Sequence, residues 1–332
     1  MTKNRESWSL KILENADEMV PIESLQRLVW PGSETDVVPL HMLVTFAHNG
    51  GLVVGAYQGS RYADVQDPEG ASQNTTNPEL IGFVCGFPGL YFTPDGSRPK
   101  HCSHMLAVHP DYRDLGVGFA LKRAQWQMVR HQGLDLITWT YDPLMSRNAF
   151  LNISRLGGVC NTYRREEYGE MRDGLNEGIP SDRFQVDWWV NSQRVLRRLG
   201  RRPRRKLDLA HFLSAGAEII NPTEIGAQGF ARPTLHTTGE WQFESGKRGE
   251  EGIFLVEIPS NFQELKAAEP DLALEWRRHT RVLFENLFAQ GYLVLDFVFL
   301  PGSQPRSFYV VSHGENTLLL AHRGEYRGRQ GK

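Results

Sequence analysis

A strand, a glycine-containing loop and the start of a helix follow one another within residues 102–132. Residues 105–108 are apolar and predict the strand, and Arg113, Gly116 and Gly118 precede a long helical pattern. Backbone N–H groups at a helix N-terminus point outward, where the helix dipole adds partial positive charge. Glycine allows a tight turn and close approach to a phosphate, and arginine adds a fixed cation. These residue types at this spacing predict an anion site.

Two common phosphate-binding motifs differ from this loop. A P-loop requires Gly-Lys-Ser/Thr, which does not follow here, and a dinucleotide fingerprint requires three glycines in G-x-G-x-x-G order. The remaining alternative is a sharp strand-to-helix turn that binds nothing.

The pattern Arg113-x-x-Gly116-x-Gly118, after a strand ending at residues 106–110, resembles the coenzyme-A loop of the GCN5-related N-acetyltransferase (GNAT) superfamily. The predicted order of strand, helix, helix, three strands, loop and helix is similar to the opening of that fold. The resemblance covers roughly the first 190 residues. It implies an α/β (α+β) fold with a mixed, splayed central sheet flanked by helices.

The resemblance also implies the site of acetyl-CoA or succinyl-CoA. In the superfamily the pantetheine arm enters the gap between two splayed strands, and the amides of the glycine turn hold the pyrophosphate. An Asn on the following helix hydrogen-bonds the arm. The residues implied here are Leu106, Ala107, Val108, Arg113, Gly116, Val117, Gly118, Phe119, Asn148 and Asn152.

Acyl transfer to an amine requires a base for the ammonium and an acid for the leaving thiolate. The candidate bases are His104, at the start of one splayed strand, and Asp142, at the end of the other. His104 is favoured because histidine titrates near neutral pH. Many GNAT members carry an acidic tyrosine where this chain has Ile153. Tyr168 or Tyr163 is therefore the candidate acid. Each of these side chains could instead have an ordinary core, turn or surface role.

A wider pattern, at residues 103–105, 139–144, 146–149 and 181–188, resembles a GNAT subgroup found beside N-acylamino-acid racemases. That resemblance implies a small-molecule amine or amino acid acceptor and an acetyl or succinyl donor. Carboxylates on either molecule would need cationic partners, best supplied by arginine. The candidates are Arg147, Arg155, Arg164, Arg165 and Arg183.

With 332 residues, the chain is long enough for two domains. We predict a GNAT acyl-CoA-binding catalytic domain over 1–193, a basic linker and irregular insertion over 194–252, and a smaller C-terminal α/β unit over 253–332. The similarity of VRHQGLDLITWTYDP to LFAQGYLVLDFVFLP suggests that the last unit is a degenerate GNAT-like half. Generic helix–strand patterning is the alternative. This unit is predicted to pack on the first domain or to form a homodimer contact.

Composition argues against several other classes. A net charge of −2 gives no pull toward nucleic acid or membrane. The arginine run of residues 194–206 has no interleaved aromatic residue, so a solvated linker is favoured over a nucleic-acid contact. Three widely spaced cysteines favour a reducing compartment without a metal site. With neither a membrane-length apolar run nor a signal peptide, a cytoplasmic location is predicted.

The sequence thus predicts an acyl-CoA-dependent N-acyltransferase. The alternative is a non-catalytic coenzyme-A-binding or assembly protein of the same fold, which Ile153 favours.

Overall fold

A computed structural model describes residues 8–32, 34–58, 78–169, 171, 177–200, 207–234 and 252–313. The chain divides into two compact units. Unit 1 comprises Met1–Phe92 and Ser97–Ile137, and unit 2 comprises Thr93–Gly96 and Thr138–Lys332. The polar, turn-rich sequence from Gly59 to Pro78 predicts an exposed loop, and its residues 59–77 lie outside the described residues. Residues 201–206 of the arginine run and residues 235–251 also lie outside them.

Unit 1 is a sheet flanked by helices. Its strands are β1 Trp8–Ile12, β2 Leu52–Gln58, β3 Glu79–Thr93 and β4 Gly96–Val108, in the spatial order β1-β2-β3-β4. Its helices are α1 Ala16–Val29, α2 Leu40–His48 and α3 Val117–His131. β2 pairs antiparallel with both β1 and β3, with Trp8 opposite Gln58 and Leu52 opposite Gly86.

The core of unit 1 follows from helical periodicity. Met19, Ile22 and Leu25 repeat at three-residue spacing on α1 and are buried on one side of it. They share a cluster with Val53 and Phe83 of the sheet. The sequence predicted α1, α2 and α3 correctly because each carries one apolar stripe.

Prolines and glycines between Pro88 and Pro99 predict a loop from the sequence, and this prediction is wrong. β3 continues to Thr93 and β4 begins at Gly96, so the two strands form a long hairpin. The Thr93 hydroxyl donates to the Gly96 carbonyl at 2.9 Å across a Pro-Asp turn. The prolines on either side of this turn suggested a loop, although they lie within extended strands.

Buried polar side chains join β4 to α3. Lys122 Nζ donates to Ser103 Oγ at 2.8 Å and to Gln125 Oε1 at 3.0 Å, and Gln125 Nε2 lies 3.1 Å from His101 Nε2. A Cβ at Gly86 would lie 2.3 Å from His101 Nε2, so that glycine makes room for the imidazole. Burial lowers the pKa of His101 to about 3 and that of Lys122 well below its usual value. The uncharged forms of both groups therefore suit this interior.

Unit 2 contains a mixed sheet in the order β5-β7-β6-β12-β13-β11-β8. Its strands are β5 Leu136–Tyr141, β6 Val159–Arg164, β7 Arg183–Trp189, β8 Glu218–Ile219, β11 Phe254–Ile258, β12 Tyr292–Leu300 and β13 Arg306–His313, while β9 Thr223–Ile225 and β10 Ala231–Pro233 form a separate pair. β6 pairs antiparallel with β7 and β12, whereas β8 pairs parallel with β11. The mixed α/β class is confirmed.

The helices of unit 2 are α4 Ser146–Ala149, α5 Gln193–Leu199, α6 Leu209–Ser214, α7 Phe262–Ala268 and α8 Pro270–Ala289. A π-helical segment, Phe150–Arg155, continues α4 directly. The sequence from Asn261 to Ala289 predicts a helix with a break at Pro270. This break is confirmed, since Pro270 begins α8 and α7 ends before it. None of the described helices is long and apolar enough to cross a membrane.

One aromatic core spans unit 2. The rings of Phe184 on β7 and Phe284 on α8 lie 4.7 Å apart, and Phe284 lies 5.4 Å from Tyr309 on β13. Elements predicted for the first and the last domain therefore share a core within unit 2. The predicted domain boundaries and the homodimer stay predictions.

Part of the predicted basic linker is helical. Within α5, Arg198 donates to the Ser154 carbonyl and pairs with Asp296 Oδ2 at 2.7 Å. These contacts make Arg198 part of a packed helix instead of a solvated segment.

We expect His101 to make the stability of the protein sensitive to acid. The unfolded histidine gains a proton near pH 6.5, whereas the buried one resists protonation until about pH 3. Lowering the pH between these values should therefore decrease the free energy of unfolding, by at most about 1.4 kcal/mol per pH unit from this group. Urea denaturation should show a shallower pH dependence for His101→Gln than for the wild type. His131→Gln, at an exposed histidine of α3, is the matched control, and equal slopes for His101→Gln and wild type would contradict the account.

Candidate functional site

The end of β4 is fixed by backbone hydrogen bonds before the chain enters α3. The N–H of His109 donates to the Ile81 carbonyl of β3 at 2.8 Å. The N–H of Asp111 donates to His109 Nδ1 at 3.2 Å, which shapes the following turn. The loop from His109 to Gly116 is therefore anchored at its start by strand geometry.

Gly116 begins α3 without a side-chain cap. Its φ of 86° lies in the left-handed region that favours glycine, and its carbonyl accepts the N–H of Ala120 at 3.0 Å. The first N–H groups of an α-helix have no carbonyl of a preceding turn to bind. At α3 these include the amides of Val117 and Gly118. The N-terminus of α3 thus presents donors where a side-chain acceptor often lies.

Gly118 keeps the space above the end of β4 open. A Cβ on this residue would lie 3.5 Å from Val108 Cγ2 and 3.9 Å from Leu106 Cδ2. Both side chains are half-buried, whereas Ala107 between them is buried. The strand end therefore offers an apolar surface directly beside the helix start.

Unit 1 brings the predicted loop residues together in one region. Arg113 is exposed, and its N–H donates to the Pro110 carbonyl at 3.3 Å. The predicted coenzyme-binding residues in this unit are Leu106, Ala107, Val108, Arg113, Gly116, Val117, Gly118 and Phe119.

His104, the favoured base, lies on an exposed position of β4. Its ring centroid is 6.1 Å from that of Phe46 and 5.9 Å from that of Phe87. Loss of water around the imidazole lowers the pKa of His104. The neutral, proton-accepting form is therefore favoured near neutral pH.

Asp142, the alternative base, lies in unit 2 and is already bound. Its Oδ1 accepts the N–H of Leu144 at 2.8 Å, and its Oδ2 accepts Arg277 Nη2 at 2.5 Å. Arg183 Nη1 lies 3.8 Å from the same Oδ2. Both oxygens of this carboxylate therefore already accept hydrogen bonds within unit 2.

The two candidate acids in unit 2 differ in surroundings. Tyr168 is 55% exposed, and its hydroxyl lies 2.6 Å from Thr140 Oγ1. The hydroxyl of Tyr163 donates to Asp182 Oδ2 at 2.8 Å, and burial raises the pKa of Tyr163. Tyr168 is therefore the more accessible proton donor.

The two candidate asparagines, in α4 and in the π-helical segment that continues it, differ in exposure. Asn148 is exposed, whereas Asn152 is buried in the π-helical segment and its carbonyl accepts the N–H of Gly158 at 3.0 Å. Ile153 is fully buried in the aromatic core of unit 2. An apolar side chain fits that interior position, and the acid must come from elsewhere if one is used.

The predicted arginines have unequal surroundings. Arg147 and Arg155 are exposed, Arg164 donates to Gln185 at 2.6 Å, and Arg165 pairs with Glu285 at 2.5 Å. Among these five predicted arginines, Arg183 has a buried guanidinium, and its Nη1 lies 3.8 Å from Asp142 Oδ2.

Sequence reasoning missed Arg277 and Arg281 of α8. Arg277 is buried and follows Trp276, on the side of α8 that also carries Thr280 and Phe284. An arginine on the apolar side of an amphipathic helix was the available signal.

Metal-ligating residues do not converge in the described parts of the chain. No group of three or more His, Cys, Asp or Glu side chains there is placed to hold a metal ion.

The model of the Acetyltransferase (GNAT) family matches residues 52–150. This match confirms, for that region, the resemblance predicted from the glycine loop. The resemblance to the racemase-associated subgroup stays a prediction. No curated protein matches the chain.

Several solved structures are similar to this chain. Arabidopsis thaliana NAA60, in complex with a bisubstrate analogue, has 15% identity and a TM-score of 0.39, over 56% of this chain and 100% of that one. The IAA acetyltransferase from Bacillus cereus has 17% identity and a TM-score of 0.36, over 55% and 98%. An alanine N-acetyltransferase of a ribosomal protein from Escherichia coli has 14% identity and a TM-score of 0.37, over 55% and 94%.

The two loop glycines should respond differently to alanine. Gly116→Ala puts a Cβ on a left-handed residue and should lower the free energy of unfolding by roughly 1–2 kcal/mol. Gly118→Ala makes only ordinary contacts and should leave stability unchanged or raise it by up to ~1 kcal/mol. Chemical denaturation of the two variants measures this difference. Equal destabilisation by both substitutions would contradict the described turn.

Proposed function

We propose that this chain is an acyl-CoA-dependent N-acyltransferase that moves an acetyl or succinyl group to the amine of a small molecule, with an amino acid as the favoured acceptor. The observation that carries the proposal is the uncapped start of α3, which Gly116 and Gly118 open beside the end of β4. This arrangement lies within the region that matches the GNAT family model.

The loop has the donors and charge that a pyrophosphate requires. Amide groups of Val117 and Gly118 and the dipole of α3 attract an anion, and the exposed Arg113 adds a permanent positive charge. The apolar side chains of Leu106 and Val108 suit the arm that joins the pyrophosphate to the thiol. Coenzyme A, when bound, supplies the acyl group as a thioester.

His104 is assigned the role of base. Its lowered pKa keeps the imidazole able to take a proton from the acceptor ammonium. The neutral amine then forms a bond to the acyl carbon as the carbon–sulfur bond breaks. The proton lost by the amine resides on the imidazole, from which it passes to water.

Tyr168 is assigned the role of acid. Its accessible hydroxyl gives its proton to the thiolate and is restored from water. Asp142 is assigned to holding Arg277 and Arg183, because both of its oxygens already have partners. Asn148 is the more accessible of the two asparagines predicted to bind the pantetheine arm.

A second candidate function is a non-catalytic coenzyme-A-binding or assembly protein. The buried Ile153, at the place of the superfamily's tyrosine, favours it. Both functions require coenzyme A to bind, and only the first requires thioester cleavage in the presence of an amine.

Gly118→Val should abolish coenzyme-A binding without unfolding the protein. The larger side chain fills the space beside Val108 and Leu106 and blocks close approach to the amides of α3. Isothermal titration calorimetry with coenzyme A should show affinity reduced at least about 100-fold, or ~2.7 kcal/mol. Ala124→Val, at a half-buried residue farther along α3, is the matched control and should bind normally. Normal binding by a folded Gly118→Val protein refutes the assigned pyrophosphate site.

His104→Gln should lower turnover by ~100-fold or more while coenzyme-A affinity stays nearly unchanged. Thiol release from acetyl-CoA and succinyl-CoA, measured with a panel of amino acids, tests this. As the pH is lowered below the usual histidine pKa, His104 becomes protonated and the wild-type kcat/KM should fall. The variant should lack that decrease.

His131→Gln serves as the control for this substitution and should retain wild-type kinetics. A wild-type protein that binds coenzyme A but releases no thiol with any amine would favour the assembly function. Unchanged turnover in His104→Gln would remove the histidine from the mechanism.

A further inference from the structure

His109 makes three hydrogen bonds directly after the end of β4. Its N–H donates to the Ile81 carbonyl of β3 at 2.8 Å, and its carbonyl accepts the N–H of Tyr112 at 2.9 Å. The side chain takes part as well, because Nδ1 accepts the N–H of Asp111 at 3.2 Å. One residue therefore joins β3 to the first turn of the loop that leads to α3.

The imidazole of His109 caps a short helical turn, Pro110–Tyr112. Residues at this capping position are usually Ser, Thr, Asp or Asn, whose side-chain oxygen accepts a backbone N–H of the turn. Proline has no N–H, so the amide of Asp111 is the first donor that this turn presents. His109 Nδ1 takes the place of the usual oxygen and binds that donor.

The hydrogen bond from Asp111 defines the form of the imidazole that can cap the turn. A backbone amide only donates, so Nδ1 must act as the acceptor and carry no hydrogen. The neutral ring then carries its hydrogen on Nε2. In an imidazolium both ring nitrogens are donors, and neither accepts the amide. The capped turn therefore requires the neutral Nε2–H form of His109.

The ring of His109 also packs on its neighbour. Its centroid lies 5.6 Å from that of Tyr112, with an angle of 72° between the ring planes, which is an edge-to-face arrangement. Both side chains are half-buried. His109 thus contributes two separate features to the turn, an aromatic ring and an acceptor nitrogen.

The residues after this turn adopt conformations that need support. The N–H of Arg113 donates to the Pro110 carbonyl at 3.3 Å, after which Asp114 has a φ of 65° and Gly116 a φ of 86°. A left-handed conformation is less favourable for aspartate than for glycine, and it persists where surrounding contacts impose it. The capped turn directly precedes Arg113 and Asp114 and restrains the backbone that enters them.

We propose that His109 is a positioning residue for the coenzyme-A loop, acting through Nδ1 and the Asp111 amide. By holding the turn before Arg113 and Gly116, the neutral imidazole keeps the donors at the start of α3 in place before the anion binds. This preorganisation raises affinity, because less conformational freedom is lost on binding. In this role His109 acts without touching the ligand. The inference rests on the proposed function in naming coenzyme A as that ligand.

Two substitutions separate the acceptor from the ring. His109→Phe keeps a ring beside Tyr112 and removes the acceptor, whereas His109→Asn removes the ring and keeps a side-chain acceptor suited to a cap. Isothermal titration calorimetry on the full chain should show coenzyme-A affinity about fivefold lower for His109→Phe, the scale of one lost cap hydrogen bond. His109→Asn should bind with nearly wild-type affinity.

His131→Phe, at the exposed histidine of α3, is the matched control and should bind coenzyme A normally. His109→Ala is a second variant without the acceptor, and circular dichroism establishes that each variant is folded. Side-chain ¹⁵N NMR spectra provide a readout that needs no ligand, since wild-type His109 should carry its hydrogen on Nε2. The Asp111 amide should exchange with solvent faster in His109→Phe than in His109→Asn.

The outcomes separate the positioning role from the proposed function. Wild-type affinity in folded His109→Phe and His109→Ala, equal loss in His109→Phe and His109→Asn, or a hydrogen on Nδ1 refutes the positioning role. A wild type that does not bind coenzyme A refutes the proposed function instead, and inorganic pyrophosphate then tests the loop alone. Pyrophosphate affinity that falls in His109→Phe and is retained in His109→Asn supports the positioning role, whereas no pyrophosphate binding by the wild type refutes it.

Discussion

A helix that begins without a side-chain cap has N–H donors that need a partner, and the start of α3 is built in this way. The left-handed Gly116 turns the chain into the helix, and Gly118 leaves the space beside β4 unfilled. Both features favour binding of an anion over self-capping. The hydrogen bonds from His109 N–H to the Ile81 carbonyl and from Lys122 to Ser103 hold the end of β4 and the start of α3 in this arrangement.

Sequence periodicity was sufficient for most of the regular elements. The amphipathic helices and the apolar strands β12 and β13 have the pattern that their burial requires. Sequence patterning failed at the hairpin of β3 and β4, because proline and glycine favour turns locally. Here these residues lie within or beside two long strands. It also failed at α5, where a run of arginines suggested a solvated linker. Arg198 instead forms an ion pair with Asp296 and donates a hydrogen bond to the Ser154 carbonyl.

The glycine loop was predictable because its residues are adjacent in sequence and its geometry is local. The arginine cluster was not, because Asp142, Arg183 and Arg277 are brought together by a sheet and a helix that lie far apart along the chain. Asp142 shows the consequence. Its position after β5 suggested a base, whereas its two oxygens accept hydrogen bonds from Arg277 and the Leu144 amide. Local sequence indicated the position of this carboxylate but not the partners that a distant helix brings to it.

Lys122 and Arg277 are both buried cationic side chains, and their charges are accommodated in different ways. Lys122 is surrounded by neutral polar partners, and burial lowers its pKa, so the amine can lose its charge and remain as a structural link between α3 and β4. Arg277 is nearly as deeply buried, but a guanidinium keeps its proton, and the nearby Asp142 raises the pKa of Arg277 against the opposing effect of burial. Its charge must therefore be compensated by an anion, and Asp142 is shared with Arg183. The side chain that can become neutral is surrounded by neutral polar groups, whereas the one that cannot lies against a carboxylate.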